Sequence, residues 1–444
     1  MRKSLFFPLK QEKLPRLGIY YHYKTGIVTF RAAREWEEGP DWSRYGRDFT
    51  CEHPLTARTV YLGHQETHDL FRKYDLTGYL DDVVDLIKKG NHQGIECFFD
   101  QEKDIHFISN MHSNTLGINN GYHAIRSGGI RRHERDEEEL DVIIDGLNLS
   151  RAMSFKNAGA QIPFGGSKIT VQCEPVDLSD YHTVGFLAYA LDRTRSFTGP
   201  DMGLSPGLAD VMRREGYSVN IAGGFKSRIG PTGSPTAYGV YLALKEAARI
   251  KFGKAALADK TVVVQGLGAV GYPLVEKYLS KEKVNLFVTD ILQDPIKKLM
   301  GQFPGRVNEI DPRKVLTFDA DILVPCAMGG ILGEESIRDL KYSIVMGAAN
   351  NQLKATNQEE EIRLAKRLAE QDILFQVHWM HNTGGVIAGM EEYMHRENAS
   401  LDNIMRHTEK VCQLGVRENL EAANKEGITP TERAYAYFSS RIYQ

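Results

Sequence analysis

A glycine-rich turn near the middle of the chain is its clearest chemical signal. Gly266, Gly268 and Gly271 form a G-x-G-x-x-G pattern between an apolar run at 261–264 and a helical pattern at 272–279. Glycines in this order permit a tight turn, let a pyrophosphate approach the backbone, and let helix and strand pack closely. The phosphates would lie at a helix N-terminus, where free N–H groups favour anions. The sequence therefore predicts a dinucleotide site, with a ligand-free βα turn as the alternative.

An acidic residue favours one form of that dinucleotide. Asp290 ends the next apolar run, at 284–289. It stands about 20 positions after the turn, where a carboxylate accepts a hydrogen bond from the ribose 2′-hydroxyl. The same carboxylate would repel a 2′-phosphate, so the sequence favours NAD over NADP.

Two lysines and an aspartate are candidates for acid–base chemistry. Lys156 and Lys168 lie twelve residues apart, and Asp201 lies in a Gly-Pro-Asp turn. Lysine is rarely buried unless it is paired or functional, and an apolar wall lowers its pKa towards neutrality. From the residues alone, two surface lysines and an ordinary turn aspartate remain an alternative.

Charge and hydropathy exclude several classes of protein. The 444 residues carry 55 basic and 58 acidic side chains, a net charge of −3, which indicates neither nucleic acid nor an anionic membrane as a partner. No apolar run is long enough to predict a membrane span. The densest charge run, Arg131–Glu139, has mixed signs and precedes a helical pattern, which predicts a solvated helix start.

Cysteine and histidine usage argues against a metal site. The five cysteines are odd in number, widely spaced and without a C-x-x-C pair. This usage excludes a disulfide framework and is typical of the reducing cytoplasm. His378 and His381 form an H-x-x-H pair without a carboxylate partner, which favours cleft-lining side chains over metal ligands. We predict no metal.

The periodicity of apolar residues predicts an α/β protein of two domains. Tyrosine-rich residues 1–75, with a hairpin around Lys24–Gly26, form an N-terminal extension. Strands alternate with helices after the linker at 230–235, which predicts a doubly wound parallel sheet. The predicted strands are 261–265, 284–289, 322–324, 343–346 and 373–375. The predicted domains are 76–232 for substrate binding and catalysis, completed by C-terminal helices in 390–444, and 233–389 for NAD binding.

Several motifs together resemble the glutamate/leucine/phenylalanine/valine dehydrogenase family, most of all its leucine and phenylalanine branch. The similarity runs from about 75 to 435 in one order. The matching motifs are Met153–Asn157, Gly165–Lys168, Thr236–Tyr241, Gly266–Gly271 with Asp290, Pro325–Gly330, Gly347–Leu353 and Asn382–Val386. The resemblance implies two α/β lobes around a deep cleft, one lobe being a Rossmann-like NAD-binding domain.

The resemblance also implies roles for the candidate residues. Lys156 would bind the substrate carboxylate, Lys168 would activate a water, and Asp201 would exchange a proton with the amine. The implied reaction is NAD-dependent oxidative deamination of an L-amino acid to the 2-oxo acid and ammonia, reversible as reductive amination. The implied cofactor-binding residues are Gly266, Gly268, Ala269, Val270, Gly271, Asp290, Thr236, Ala327, Asn350 and Asn382.

The family pattern points to a large apolar or aromatic substrate. Glutamate-type enzymes place a lysine before a Gly-Gly pair, where this chain has Ser127, and a buried γ-carboxylate without a cation is costly. Leucine-type enzymes have alanine and valine where this chain has Gly199 and Gly389, so the pocket is expected to be wider. The predicted pocket residues are Gly128, Gly129, Gly199, Val386 and Gly389. Residues 119–123 resemble an insertion beside the pocket.

Other interpretations stay open from the sequence. One is a non-catalytic NAD-binding regulatory homologue, which the presence of Lys156, Lys168 and Asp201 argues against. Another is a dehydrogenase of branched-chain or unusual amino acids. The family is commonly oligomeric, so a homo-oligomer is expected. Residues 1–75 would either pack on their own subunit or form an arm at a subunit interface.

Overall fold

The polypeptide divides into two units at the linker that follows Gly230. The computed structural model describes residues 3–34, 40–52, 59–113, 126–194, 196–355 and 357–443. The first unit comprises 1–157 and 163–230, and the second comprises 158–162 and 231–444. Within the described ranges no helix has the length and apolar character needed to cross a membrane.

The first unit is built on one mixed sheet. Its described strands are β1 (Arg16–His22), β2 (Ile27–Arg34), β3 (Val60–Leu62), β4 (Gly94–Asp100), β5 (Ile105–Ser113), β6 (Arg126–Ser127), β7 (Ile130–His133), β8 (Gly165–Gln172) and β9 (Ser196–Phe197). They are ordered β3-β2-β1-β4-β5-β8-β6-β9, and β7 also pairs with β8. The pairs from β3 to β8 are antiparallel, whereas β6 and β7 run parallel to β8. The sheet therefore changes from antiparallel to parallel at β8.

Helices cover both faces of this sheet. They are α1 (Phe6–Gln11), α2 (His64–Lys73), α3 (Thr77–Lys89), α4 (Glu139–Gly159), α5 (Tyr181–Arg193) and α6 (Gly207–Arg214). Successive residues of a strand point to opposite faces. Phe107 of β5 accordingly packs in a core with residues of α5 and α6, and its neighbour Ile108 packs in a core with residues of α1 to α4.

The N-terminal extension is part of the first unit rather than a separate domain. The predicted hairpin is confirmed, since β1 and β2 pair antiparallel around the turn, and β1 also pairs with β4. Leu5 and Phe6 are fully buried in the core formed with α2 to α4. Continuous backbone pairing thus joins the described part of the extension to its own unit.

The second unit contains a parallel sheet with the order expected of a dinucleotide-binding fold. Its described strands are β10 (Thr261–Gln265), β11 (Asn285–Thr289), β12 (Val307–Glu309), β13 (Ile322–Pro325), β14 (Ile344–Val345) and β15 (Leu374–Phe375). They are ordered β12-β11-β10-β13-β14-β15 and all adjacent pairs are parallel. Numbered along the chain, this is the Rossmann order 3-2-1-4-5-6. The sequence predicted each of these strands except β12, which is three residues long.

Helices flank the parallel sheet and continue to the C-terminus. They are α7 (Gly233–Phe252), α8 (Gly271–Lys277), α9 (Gln293–Gln302), α10 (Glu334–Arg338), α11 (Gln358–Glu370), α12 (Gly384–His395), α13 (Leu401–Glu409), α14 (Val416–Glu426) and α15 (Pro430–Ile442). A π-helical turn, Lys410–Gly415, joins α13 to α14.

The C-terminal helices group with the second unit, which differs from the expectation that 390–444 would complete the first. Val416 and Leu420 of α14 are buried in the same core as Val262 of β10. Glu246 of α7 also accepts hydrogen bonds from Arg417 of α14, at 2.7 and 3.0 Å. Apolar burial and an ion pair with the buried Glu246 carboxylate therefore attach these helices to the nucleotide-binding sheet.

Candidate active site

A buried lysine lies against a carboxylate in the first unit. Lys168 is on β8 and its side chain is only 6% exposed, and its Nζ atom donates to Oδ2 of Asp201. Burial lowers the pKa of Lys168, and the charge of Asp201 offsets part of this effect. Burial would raise the pKa of Asp201, but the charges of Lys168 and Arg131 outweigh it and hold that pKa below its usual range. The lowered pKa of Lys168 makes its neutral form more accessible than that of a solvent-exposed lysine, as a general base requires.

The backbone around this pair fixes its geometry. Asp201 N–H donates to Ile130 O at 2.9 Å, and Ile130 N–H donates to Gly199 O at 3.0 Å. A Cβ atom on Gly129 would lie 2.7 Å from Lys168 Nζ, and one on Gly128 would overlap the carbonyl oxygen of Ser167. The structure thus brings together four of the residues predicted for the site, Lys168, Asp201, Gly128 and Gly129, with Gly199 alongside.

Sequence reasoning missed a second cation beside Asp201. Arg131 was expected in a solvated helix start, but Arg131 to His133 belong to β7 and α4 begins only at Glu139. The Arg131 guanidinium bonds both carboxylate oxygens of Asp145, at 3.1 and 3.2 Å, and reaches Asp201 Oδ2 at 3.4 Å. The prediction was wrong for this residue because β-pairing with β8 buries its side chain.

Lys156 occupies the last turns of α4, where neighbouring side chains fix the helix against the sheet. Ser154 Oγ lies 2.7 Å from His112 Nδ1, and Asn157 Nδ2 donates to Ser127 Oγ at 2.9 Å and to Gly165 O at 2.8 Å. Lys156 itself is half-buried. These hydrogen bonds set the position of the helix turn that carries Lys156. The role of Lys156 as a ligand of the substrate carboxylate stays a prediction.

The glycine turn of the second unit fits a dinucleotide. Gly266 has φ +94°, a conformation that favours glycine, and a Cβ atom on Gly271 would overlap the carbonyl oxygen of Gly266. A Cβ atom on Gly268 would meet no atom of the described residues within 4 Å, so open space lies at this point of the turn. The geometry gives a positive φ at Gly266, open space at Gly268 and close packing at Gly271, and the binding of a pyrophosphate at this turn stays a prediction.

Asp290 is held beside this turn. Its Oδ2 atom accepts from the Leu267 N–H at 2.6 Å, and its Oδ1 atom accepts from the Leu292 N–H at 2.8 Å. Each carboxylate oxygen has a further lone pair, so the group can still accept a bond from a ribose hydroxyl. The carboxylate position agrees with the predicted ribose contact.

Other predicted cofactor residues gather near the carboxyl ends of the strands. A Cβ atom on Gly266 would lie 2.7 Å from the Cβ of Ala327, which follows β13, so both loops flank the point where the strand order reverses. Ligands bind at such switch points in doubly wound sheets. A Cβ atom on Gly233, at the start of α7, would overlap the carbonyl oxygen of Ala269. The turn, with Ala269 and Val270, is thus packed against the helix that carries Thr236.

Asn350 and Asn382 are in direct contact. Asn382 Nδ2 donates to Asn350 Oδ1 and to Ala348 O, each at 3.0 Å. Asn382 is buried, whereas Asn350 is exposed. The buried amide therefore supports the exposed one, which is free to face a ligand.

Thr236 has a different set of neighbours. Its hydroxyl donates to Thr232 O at 3.0 Å, and a Cβ atom on Gly385 would lie 3.1 Å from that hydroxyl oxygen. Gly384 begins α12, and a side chain there would overlap the backbone of Pro235. The Gly-Gly pair thus permits close contact between the starts of α12 and α7.

The remaining predicted positions are not all in one unit. Val386 and Gly389 lie on α12 in the second unit, apart in the chain from Gly128, Gly129 and Gly199 of the first. Residues 119–123, the expected insertion, lie outside the described residues.

The two histidines of the H-x-x-H pair are buried and take part in the local hydrogen bonding. His381 Nε2 lies 3.0 Å from Gly347 O, and His378 Nδ1 lies 3.1 Å from Asn382 Nδ2. Among the described residues, no group of three or more His, Cys, Asp or Glu side chains is placed to hold a metal ion. Both histidines therefore support the Asn382 region through their ring nitrogens.

A Rossmann sheet in one unit and a buried lysine–aspartate pair in the other accompany two family matches, which identify an oxidoreductase of the amino-acid dehydrogenase class. Residues 104–213 match the family described as "Glu/Leu/Phe/Val dehydrogenase, dimerisation domain". Residues 292–444 match "Glutamate/Leucine/Phenylalanine/Valine dehydrogenase". The chain belongs to the glutamate/leucine/phenylalanine/valine dehydrogenase family.

Known relatives cover most of the chain. Leucine dehydrogenase of Bacillus subtilis (strain 168) is 32% identical over 77% of this chain and 91% of the relative. Phenylalanine dehydrogenase of Bacillus thermotolerans is 30% identical over 82% and 92%. The crystal structure of L-tryptophan dehydrogenase from Nostoc punctiforme is 26% identical, with a TM-score of 0.64 over 81% of this chain and 98% of that one.

Proposed function

We propose that this protein catalyses the NAD-dependent oxidative deamination of a large apolar or aromatic L-amino acid, giving the 2-oxo acid and ammonia, and the reverse reductive amination. The observation that carries the proposal is the contact between the buried Lys168 amine and the Asp201 carboxylate. Burial lowers the pKa of this lysine, so its neutral form is more accessible as a base than that of an exposed lysine.

Each residue of the proposed site has a distinct task. Lys156 binds the substrate carboxylate as a point charge. Lys168 takes a proton from the water that attacks the α-carbon of the imino acid, and its positive form stabilises the negative charge that develops on oxygen. Asp201 exchanges a proton with the substrate nitrogen, which leaves as ammonia.

The second unit would hold the cofactor. Gly266, Gly268 and Gly271 accommodate a pyrophosphate, Asp290 accepts from the ribose 2′-hydroxyl, and Thr236 with Asn350 orients the nicotinamide ring. Bound NAD supplies the acceptor for the α-hydride. The carboxylate of Asp290 supports NAD over NADP because a 2′-phosphate beside it would be repelled.

The substrate class rests on the pocket residues and the relatives. Ser127 carries no positive charge that could pair with a side-chain carboxylate of the substrate. Its hydroxyl oxygen accepts a hydrogen bond from Asn157. Gly199 has no side chain, and among the described residues only Ala222 O lies within 4 Å of the position of its missing Cβ. Relatives named for leucine, phenylalanine and L-tryptophan agree with an apolar or aromatic side chain.

Assembly and compartment are further parts of the proposal. The family match over residues 104–213 is described as a dimerisation domain, which supports a homo-oligomer. Five free cysteines support a reducing cytoplasm.

The test is a panel of initial rates with NAD across the twenty L-amino acids, and with NADH, ammonia and the matching 2-oxo acids. We expect NADH formation with phenylalanine, tryptophan and other large apolar substrates, and kcat/KM highest for an aromatic one. A clear preference for valine or glutamate would overturn the substrate class. If no amino acid reduced NAD although NAD bound, the non-catalytic regulatory alternative would replace the enzyme.

A further inference from the structure

Six charged or titratable side chains form a continuous chain of contacts from the exposed edge of the first unit to Lys168. Lys168 is on β8, Asp201 follows β9, Arg131 and His133 are on β7, Glu137 lies between β7 and α4, and Asp145 is on α4. His133 Nε2 lies 3.3 Å from Asp145 Oδ2 and its Nδ1 lies 2.9 Å from Glu137 Oε2. Glu137 is exposed, so this chain of contacts begins in solvent and ends at the buried amine.

We propose that Arg131, anchored by Asp145, is a positioning residue that fixes the Asp201 carboxylate and sets the proton balance between Asp201 and Lys168. This inference rests on the proposed function and adds two residues to its machinery. The guanidinium is planar and its N–H groups diverge at fixed angles. With one nitrogen bound to both oxygens of Asp145, the other points at Asp201 Oδ2.

Asp201 Oδ2 is shared between two cations. Lys168 Nζ and Arg131 Nη2 both contact this oxygen, while the Asp201 backbone N–H is held by Ile130 O. A carboxylate with one cationic partner could turn about its χ2 bond. A second cation on another strand restricts that rotation, and its rigid fork costs less conformational entropy than another lysine would.

The charges have opposite effects on Lys168. Arg131 lowers the pKa of Lys168 because two positive charges repel, whereas Asp201 and Asp145 raise that pKa. Arg131 also lowers the pKa of Asp201. Burial would raise the pKa of Asp145, but His133, Arg131 and Lys168 outweigh it, so Asp145 stays ionised and keeps the arginine in place. Arg131 and Asp145 therefore have opposite effects on the pKa of the Lys168 amine.

The neighbouring arginine provides a matched control. Arg132 is on the same strand and its side chain is 11% exposed, against 15% for Arg131. Because strand residues alternate between faces, Arg132 bonds Glu134 and Cys173 O rather than Asp201. Its substitution removes a similarly buried positive charge without touching the pair.

The experiment measures kcat/KM for deamination against pH in the wild type and in Arg131→Met, Asp145→Asn and Arg132→Met. We expect the inflection that reports deprotonation of Lys168 to move up by about one pH unit in Arg131→Met, to move down in Asp145→Asn, and to stay in Arg132→Met. Arg131→Lys keeps the charge but not the fork, so it should keep the wild-type inflection with a lower kcat. Equal profiles for Arg131→Met and Arg132→Met, or shifts of the same sign in Arg131→Met and Asp145→Asn, would overturn the inference.

A second readout does not need turnover. Lysine labelled with ¹³C at Cε reports its own titration by NMR, and Lys168→Gln assigns the Lys168 signal. The titration midpoint should move as the kinetic inflection does. A wild type that reduces no NAD with any amino acid would defeat the proposed function, and the Lys168 titration would still decide this inference. An unmoved midpoint in both Arg131→Met and Asp145→Asn would overturn it even in an active enzyme.

Discussion

A Cβ atom on Gly129 would lie 2.7 Å from Nζ of Lys168 and 3.2 Å from Cβ of Asp201. The missing side chain therefore leaves the space in which the buried amine meets its carboxylate. Gly129 also holds the strand beside it, since its carbonyl oxygen accepts from Ile169 N–H at 3.0 Å. A methyl group at this position would displace the amine without breaking that backbone bond.

Gly129→Ala should lower kcat by about 100-fold, because a displacement of about 1 Å at the reacting groups has an effect of that order. Gly78→Ala is the matched control, since a Cβ atom there meets nothing within 4 Å. Steady-state kinetics and thermal unfolding of both variants would check this. A folded Gly129→Ala enzyme with wild-type kcat would show that Lys168 has freedom to move.

Lys168→Ala should lower kcat by about 1,000-fold or more, the scale of general acid–base catalysis. NAD affinity should change little, because the residues proposed to hold NAD are in the other unit. Fluorescence titration with NADH would measure that affinity. Loss of cofactor binding together with activity would mean that the role given to Lys168 is wrong.

Gly268→Ala should weaken NAD binding by about tenfold or more, because the second glycine of the pattern lets the pyrophosphate approach the backbone. The unbound protein should remain stable, since the new methyl group meets no atom within 4 Å. Gly301→Ala, in α9, has equal space and should leave NAD affinity unchanged. Equal dissociation constants in the two variants would place the pyrophosphate elsewhere.

Gly199→Ala should shift specificity from phenylalanine towards leucine. Its Cβ would lie 3.3 Å from Ala222 O, a tight position that a small shift accommodates. One added methyl group in an apolar pocket changes the discrimination by about 1–3 kcal/mol, or about 10- to 200-fold in the ratio of kcat/KM values. An unchanged ratio would remove Gly199 from the substrate pocket.

Glu246→Gln should destabilise the second unit at neutral pH. Burial would raise the pKa of Glu246, but the hydrogen bonds and charges of Arg417 and Arg249 lower it from 4.5 to about 2. A lowered folded-state pKa gives a stabilisation that is present above about pH 4.5 and is lost as the pH falls towards 2. The carboxylate is buried but its arginine partners are 37% and 31% exposed, so losing its charge should cost about 1–3 kcal/mol.

Urea unfolding at several pH values would measure this effect. The difference between the wild type and Glu246→Gln should shrink below pH 4.5, where the carboxylate of the unfolded wild type becomes protonated. Glu421→Gln removes a half-exposed partner of Arg249 and should cost no more than about 1 kcal/mol. A Glu246→Gln difference independent of pH would show that packing rather than charge links α7 to α14.

The sequence by itself determined the parts of this protein that depend on local spacing. The strand, glycine turn and helix around Gly266 are adjacent in the chain, and Asp290 follows at a fixed distance along the next strand. The relative positions of these residues can be predicted from the sequence because a helix and a strand each have a fixed rise per residue. Lys156 and Lys168 stand out by their type and their spacing of twelve residues, and Lys168 also by the glycine pair before it.

Only the tertiary structure decided which charges surround those residues. Arg131, Asp145 and Asp201 are far apart in sequence and meet because β7 pairs with β8 while α4 packs against the sheet. Its place in a run of charged residues predicted that Arg131 would be solvated. The prediction failed because the burial of a strand residue depends on which element covers the strand, and here α4 does so. The C-terminal helices differ from the prediction for the same reason. Their buried residues pack against α7 and the parallel sheet, and this long-range contact cannot be predicted from the local periodicity of apolar residues.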